Sequence, residues 1–143
     1  MAINQITVFL ENKAGALLNV TKLLSKNNVD LRAINIAETA DYGLLRLITA
    51  DNTLAEKVLK AEGLIFTKTS VLAVAIADKP GALSEVLEIL ASAEIDVNYM
   101  YSIFGHQNGL AYMIMQLSEV DKATTVLKAN GVVIAEANDL QIG

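Results

Sequence analysis

Two segments of the sequence repeat residue types that could bind a carboxylate group. The segments are Asn12-Lys13-Ala14-Gly15-Ala16-Leu17 and Asp78-Lys79-Pro80-Gly81-Ala82-Leu83. Asn12 and Asp78 are residue types that cap a helix, and Pro80 suits a first helical turn, where no N–H donor is needed. Gly15 and Gly81 would let a ligand approach the backbone closely, and the free N–H groups and dipole of a helix start favour an anion. The same pattern also fits a well-capped helix without a ligand.

Two aspartates add a second charged group to each copy of this pattern. Asp30 and Asp96 each follow one helix later, where a second strand is predicted to begin. We expect the chain reversal there to bring each aspartate beside the loop before the helix. A helix start that holds a carboxylate, together with an acid that holds an ammonium group, matches the two charged ends of an α-amino acid. The alternative is that both aspartates cap or solvate a turn.

Residues that could support catalysis are sparse. The single histidine, His106, falls in a turn predicted between Gly105 and Gly109, where we interpret it as solvated. A Ser/His/Asp constellation would need another histidine, and the absence of cysteine excludes thiolate chemistry and disulfides. Glu85 and Glu88 fall on the polar side of a predicted helix, which is typical of a solvated face. We therefore predict no catalytic residue, no metal site and no cofactor.

Composition and charge argue against several classes of partner. The 143 residues are 53% hydrophobic and 19% charged, with a net charge of −5. An acidic chain lacks the basic face that nucleic acid or an anionic membrane surface requires, so Tyr99, Tyr101 and Tyr112 are not favoured as an RNA-stacking platform. Residues 1–5 show no signal-peptide pattern, and the apolar run at residues 71–77 is too short to span a bilayer. We expect a cytoplasmic protein.

The chain is an internal repeat. Gly15 and Gly81 stand 66 residues apart within the matching segments. The same offset relates Val20 to Val86, Leu24 to Leu90, Asp30 to Asp96 and Gly43 to Gly109. Gly63 and Gly131 are 68 residues apart, which predicts two inserted residues between the third strand and the second helix of copy two. A colinear set of matches with one small shift indicates duplication of a structural unit.

Each copy predicts the same order of elements. Alternating apolar residues predict a first strand around residues 6–10 and 72–76, and a 3.6-residue apolar period predicts a helix after each loop. Hairpin turns are predicted at Asp41-Tyr42-Gly43 and Gln107-Asn108-Gly109, with glycine at positive φ. Third strands near residues 44–50 and 110–117 lead to second helices that end at Gly63 and Gly131. Last strands are predicted at residues 64–69 and 132–136.

This order predicts an α+β fold, with two tandem copies of the ferredoxin-like βαββαβ plan. Each copy would have an antiparallel sheet with both helices on one face. We place the copies at residues 1–68 and 69–143. No flexible linker separates them, because residues 64–77 are nearly continuous strand-like sequence, so we expect a rigid junction.

The open face of each predicted sheet is unusually apolar. The mean hydropathy of the chain is +0.42, which is high for a small domain. The apolar residues predicted on the open faces include Phe9, Leu44, Ala73, Ala75, Tyr112 and Ile114. Such a face needs a second layer, supplied by the sister copy or by another chain. We therefore predict a homodimer.

With these motifs in place, the sequence resembles the ACT domain family over essentially its whole length. The resemblance lies in the two glycine loops and in Asn28-Val29-Asp30-Leu31 and Ile95-Asp96-Val97, one helix later. It implies an amino-acid ligand at module interfaces, where the loop before the first helix faces the second strand of a neighbouring module. The ligand contacts it implies are Asn12, Gly15, Ala16, Leu17, Asp30 and Leu31, then Asp78, Pro80, Gly81, Ala82, Leu83, Asp96 and Val97. Ala14 replaces the family's usual proline, and Asp30 and Asp96 stand where asparagine is common.

The resemblance implies a regulatory protein that senses a free amino acid and modulates amino-acid metabolism, with an enzyme of amino-acid biosynthesis as a possible partner. An alternative is a ligand-free subunit that docks on such an enzyme. A third class, an enzyme with an unrecognised site, has no support from the catalytic residue types.

Overall fold

The computed structural model describes residues 2–39, 41–104, 109–140 and 142. The strands are β1 Ile3–Glu11, β2 Leu31–Glu38, β3 Tyr42–Thr49, β4 Phe66–Ala77, β5 Val97–Ser102 and β6 Leu110–Leu117. The helices are α1 Ala16–Lys26, α2 Asn52–Ala61, α3 Ala82–Ser92 and α4 Val120–Ala129, and a short 3-10 helix covers Ala137–Leu140. No helix in the described ranges is long and apolar enough to cross a membrane.

The chain divides into two compact units. The N-terminal unit holds residues 4–69 with Ile142, and the C-terminal unit holds residues 70–140 with Ala2 and Ile3, as far as these ranges are described. In the first unit β3 lies between β2 and β1, and in the second β6 lies between β5 and β4, with antiparallel pairing throughout. The predicted α+β, ferredoxin-like class is confirmed.

Each unit has a core formed by one sheet face and its helices. Alternate residues of a strand face the same side of a sheet, and this alternation places Ile6, Val8 and Leu10 of β1 in one core cluster. Val20 and Leu24, one helical turn apart on α1, pack into the same cluster. In the C-terminal unit the equivalent cluster contains Leu72, Val74, Ile76, Val86 and Leu90. The predicted inward faces of the first strand and first helix are therefore confirmed.

The strand register moves the predicted insertion to a different loop. Val8 pairs with Leu45, and Val74 pairs with Met113. The first residues of these pairs are 66 positions apart and the second residues are 68 apart, so the two extra residues of copy two precede β6. The insertion lies in the β5–β6 hairpin, and the prediction that it follows the third strand is wrong. Hairpin loops accept extra residues because they leave the register of the paired strands unchanged.

This register also changes the role of Gly43. Gly43 lies inside β3 without a positive φ, so its predicted place as a left-handed turn residue is wrong. The hydroxyl of Thr39 organises that turn instead, accepting from the Tyr42 N–H at 3.1 Å and donating to the Tyr42 carbonyl at 2.8 Å. Gly109 has the predicted positive φ, of 72°. The rest of the second predicted turn, residues 105–108, lies outside the described residues.

The last predicted strands differ between the copies. Of the strand expected at residues 64–69, residues 66–69 form the first part of the long β4, which continues to Ala77. The strand expected at residues 132–136 is reduced to one bridge between Ile134 and Val74. The Glu136 N–H donates to the Asp139 carboxylate at 3.2 Å as the chain turns into the 3-10 helix, which ends strand pairing.

Residues predicted on the open sheet faces are buried or half-buried in the single chain. Ala73 and Ile114 have no exposed surface, and Tyr101 is buried as well. Phe9, Leu44, Ala75 and Tyr112 are half-buried. Their burial in a single chain does not require a second chain to cover them, and the homodimer stays a prediction.

Candidate functional site

Each predicted ligand loop is a tight turn that ends on a left-handed glycine. Gly15 has φ 88° and ψ −12°, and Gly81 has φ 87° and ψ −15°. In each loop the N–H group of the next alanine donates to the lysine carbonyl three residues earlier, at 3.3 Å. This is the geometry of a type II turn, whose third position requires positive φ. The glycines are therefore needed to bring β1 and β4 into the following helices.

The helix starts are built differently from the prediction. Gly15 and Gly81 are themselves the N-cap residues, and neither helix start has a side-chain cap hydrogen bond. The predicted capping role of Asn12 and Asp78 is wrong, because the turn places both three residues before the cap. Asn12 instead donates through Nδ2 to the Thr39 carbonyl at 3.2 Å, which ties the loop to the β2–β3 hairpin. Pro80 precedes the cap glycine in the turn and is not in the first turn of α3.

The uncapped helix starts leave N–H donors available to a ligand. The first N–H groups of an α-helix have no acceptor within the helix; here those of Ala16 and Ala82 donate to the turn carbonyls, and no side chain supplies an acceptor for the ones that follow. Leu18 and Leu83, in the first turns of α1 and α3, expose 53% and 37% of their surfaces. Each loop therefore combines backbone donors, the positive end of a helix dipole and an adjacent apolar side chain.

The two aspartates lie at the opposite end of their own units from these loops. The 11 residues of α1 span about 16 Å, with Gly15 before the helix and Asp30 after it. The carbonyls of Asp30 and Asp96 accept from the N–H groups of Ala50 and Ser118, just beyond β3 and β6, at 2.9 and 3.0 Å. Because both β1 and β2 are antiparallel to β3, the helix returns the chain to the far end of the sheet. The predicted proximity of aspartate and loop within one copy is wrong.

The two aspartates also differ in their surroundings. The Asp30 carboxylate lies 3.3 Å from a guanidinium nitrogen of Arg32, and its side chain is 69% exposed. Asp96 is exposed, and none of the ion pairs found in the described residues includes it. The next residues, Leu31 and Val97, begin β2 and β5 and are half-buried. In each unit the predicted site residues therefore form two groups, one in the loop before the first helix and one around the aspartate, at opposite ends of the unit.

A groove along α1 was not anticipated from the sequence. It encloses about 930 Å³ in the N-terminal unit, and Ala16 is the one predicted site residue in its lining. Its apolar lining includes Phe9, Leu10, Val20, Leu23, Tyr42 and Leu64. Within this lining the rings of Phe9 and Tyr42 lie 5.6 Å apart. The sequence signal that could have predicted this groove was an apolar residue at an exposed position, such as Tyr42. The groove was missed because the alternating pattern of β1 placed the neighbouring Phe9 on a sheet face.

Metal and catalytic chemistry add no residues to the site. Across the described ranges, no group of three or more His, Asp or Glu side chains is placed to hold a metal ion. The predicted solvated position of His106 lies outside the described residues.

The fold defines a class of tandem module built from two ferredoxin-like units, each with a glycine loop before its first helix, and comparison with known proteins identifies the family. The family described as "ACT domain pair" matches residues 1–142. The chain belongs to this family, as its sequence predicts.

Solved structures agree with this assignment. A protein from Bacteroides thetaiotaomicron is 39% identical, with a TM-score of 0.91 over 99% of this chain and 96% of that one. The regulatory subunit of aspartate kinase from Thermus thermophilus, in a ligand-free form, is 13% identical, with a TM-score of 0.62 over 90% of each chain. The corresponding subunit from Thermus flavus, also 13% identical, has a TM-score of 0.61 over 88% of each chain. At that identity the two kinase subunits share the fold alone. A search of curated proteins returns no significant match.

Proposed function

We propose that the protein is a non-catalytic regulator that senses a free amino acid through its two glycine loops. The observation that carries this proposal is the pair of uncapped helix starts at Gly15 and Gly81, whose φ and ψ angles agree within a few degrees. Two loops related by duplication that keep the same left-handed glycine and a helix start without a side-chain cap fit a carboxylate ligand. Membership in the ACT domain pair family supports a regulatory role.

The ammonium group of the ligand requires a partner from outside the unit that holds its carboxylate. Asp30 and Asp96 lie a helix length from their own loops, so neither can bind the second end of an amino acid held there. We propose that an aspartate of a second copy of the chain completes each site in a homodimer. Asp96 is the better candidate, because Asp30 is already paired with Arg32.

The regulated partner, in this proposal, is an enzyme of amino-acid metabolism. The kinase subunits that share this fold are described as regulatory subunits, which supports a role beside a separate catalytic chain. If the chain binds no amino acid, the remaining function is a docking subunit without a ligand of its own.

Thermal-shift measurements with each of the twenty amino acids test the proposal directly. A ligand present at about 100 times its dissociation constant stabilises the fold by roughly 2.7 kcal/mol, which gives a clear rise in melting temperature. We expect one or a few amino acids to produce this rise. If none of the twenty raises it at millimolar concentration, the sensor proposal is wrong and the docking subunit is favoured.

Substitution of Asp96 tests the ammonium partner. Loss of one charge-assisted hydrogen bond costs about 1.5–3 kcal/mol, so Asp96→Ala should weaken binding at one site about ten- to a hundredfold in titration calorimetry. Asp30→Ala should have a smaller effect because of the Arg32 pair. Asp121→Ala, which removes an exposed carboxylate from the first turn of α4, is the matched control. Equal affinity in all three variants would rule out the aspartates as ligand contacts.

A further inference from the structure

The groove along α1, which we call the α1 groove, begins at the first glycine loop. Its lining includes Glu11 at the end of β1, Lys13 in the loop and Ala16 at the first position of α1. Ala16 also closes the turn, because its N–H donates to the Lys13 carbonyl at 3.3 Å. A carboxylate bound at this helix start would therefore lie at one end of the α1 groove, and the rest of the ligand would extend into it.

The helix α1 forms one wall of this groove over two turns. Val20 and Leu23 share a side of the helix with Ala16 and lie about 6 and 10 Å beyond it along the helix axis. A side chain that leaves the helix start passes Val20 before it reaches Leu23, so only a large side chain contacts both. The groove volume of about 930 Å³ is within the range of small-molecule sites and accommodates the largest amino-acid side chains.

The charged residues around the α1 groove do not favour either sign of charge. Its lining contains three acids and three lysines, which are Glu11, Asp41 and Glu62, then Lys13, Lys22 and Lys26. Glu11 and Lys13 also pair with each other at 2.9 Å. A cleft selects a charged group when one sign dominates its walls. This lining therefore selects neither an acidic nor a basic side chain, and its apolar part must decide which side chain binds.

The apolar part of the groove contains two aromatic rings. The rings of Phe9 and Tyr42 lie 5.6 Å apart and are tilted by 58°. Tyr42 exposes 39% of its surface, and the neighbouring lining residue Ile65 exposes 70%. Aromatic rings associate favourably in offset or edge-to-face arrangements. A third ring, supplied by a ligand, would extend the pair and remove exposed apolar surface from water.

The C-terminal unit has no equivalent of this aromatic pair. Strand pairing makes Ala75 the equivalent of Phe9 and Leu110 the equivalent of Tyr42. A groove of about 460 Å³ in that unit is lined, among the described residues, by α3, α4 and the residues that end them. None of these lining residues is aromatic or belongs to the second glycine loop. The two loops therefore have similar backbones but different apolar surroundings.

We infer that the N-terminal glycine loop selects an amino acid with a large aromatic side chain, whose ring packs in the α1 groove against Phe9 and Tyr42. This inference rests on the proposed function and names the ligand class for one of its two loops. The second loop lacks the rings and discriminates less between side chains. Each chain therefore has one site with high affinity for an aromatic amino acid.

Titration calorimetry of the full chain with L-phenylalanine, L-leucine, L-alanine, L-glutamate and L-lysine tests the ligand class. Burial of a phenylalanine side chain corresponds to about a ten- to hundredfold gain in affinity. We expect L-phenylalanine to bind one site per chain at least about tenfold more tightly than L-alanine, L-glutamate or L-lysine, with L-leucine between them. If several of these amino acids bind with equal affinity, or if another binds more tightly than L-phenylalanine, this inference is overturned while the sensor proposal stands. If none of the twenty amino acids binds, the sensor proposal itself is wrong.

Substitutions in the groove test where the aromatic ring binds. Tyr42→Leu gives the N-terminal unit the residue type of the C-terminal unit, and Ile65→Ala shortens an exposed side chain of the lining. Each should weaken L-phenylalanine binding about three- to tenfold and lower its advantage over L-alanine by a similar factor.

Val133→Ala is the matched control for Ile65→Ala. Val133 exposes 59% of its surface and occupies the same position in the C-terminal unit, since the Ala75 N–H donates to its carbonyl as the Phe9 N–H donates to that of Ile65. This control should leave the affinity for L-phenylalanine unchanged. The placement of the ring is overturned if Val133→Ala weakens binding as much as Ile65→Ala, or if both groove variants keep the original preference. Because Ile65 is largely exposed, Ile65→Ala still decides the question if Tyr42→Leu does not fold.

Discussion

Substitutions at Gly81 can separate two effects: the conformational cost of a left-handed residue with a Cβ, and the effect of a side chain on ligand binding. A Cβ added at Gly81 would meet no atom within 4 Å, so substitution by alanine has no steric penalty beyond its own backbone. A left-handed conformation costs a residue with a Cβ about 1–2 kcal/mol. The lower entropy of the unfolded alanine chain offsets about 0.4–1 kcal/mol of this. Gly81→Ala should therefore lower the free energy of unfolding by about 1 kcal/mol.

Gly131 provides the matched control for this prediction. It has φ 78°, follows α4, and also has no atom within 4 Å of an added Cβ. Gly131→Ala should lose about the same stability as Gly81→Ala, measured by urea unfolding without ligand. If Gly81→Ala is as stable as the original chain while Gly131→Ala is not, the left-handed conformation assigned to Gly81 is wrong.

Ligand binding then distinguishes the two glycines. A valine side chain at position 81 extends into the space where a carboxylate would approach the helix start, whereas a valine at position 131 lies past the end of α4. Titration calorimetry should show one fewer amino-acid site per chain for Gly81→Val than for Gly131→Val. Equal numbers of sites with equal affinity would refute the proposed approach of the carboxylate to Gly81.

Two further predictions concern local stability. Ala14→Pro should stabilise the chain by about 0.4–1 kcal/mol in urea unfolding, because Ala14 occupies the turn position that Pro80 fills in the other copy; a loss of stability would show that the two turns are not equivalent. Asp51→Ala should cost about 1 kcal/mol, because Asp51 accepts from the Leu54 N–H at 3.0 Å at the start of α2. Glu119→Ala at the equivalent cap of α4, which has no such hydrogen bond, should change stability by less than about 0.5 kcal/mol, and equal losses would contradict the capping role.

Local patterns predicted the elements of this protein because each depends on residues close in sequence. The shared core cluster of Ile6, Val8 and Leu10 and the helical spacing of Val20 and Leu24 follow directly from strand and helix periodicity. Left-handed glycines after the second helices were predictable for the same reason, as Gly63 and Gly131 both have positive φ.

The errors arose where two plausible local signals competed. Gly43 and Gly109 are 66 residues apart, the offset that relates the preceding elements of the two copies. The strand pairing nevertheless makes Ala111, and not Gly109, the equivalent of Gly43. Only the pairing partners of β3 and β6 reveal that the insertion lies in the hairpin. Asn12 has the residue type of a cap, but the turn that follows gives the cap position to Gly15.

The sequence by itself determined the duplication, the order of elements and the two glycine loops, since these depend on spacing along the chain. Tertiary structure decided which of the predicted residues meet. The helix between Gly15 and Asp30 carries the chain from one end of the sheet to the other, so residues that are near in sequence are separated by about 16 Å in space. It also buried Ala73 and Ile114 within one chain and brought Phe9 and Tyr42 together in the α1 groove, because burial depends on packing between elements that no local pattern specifies.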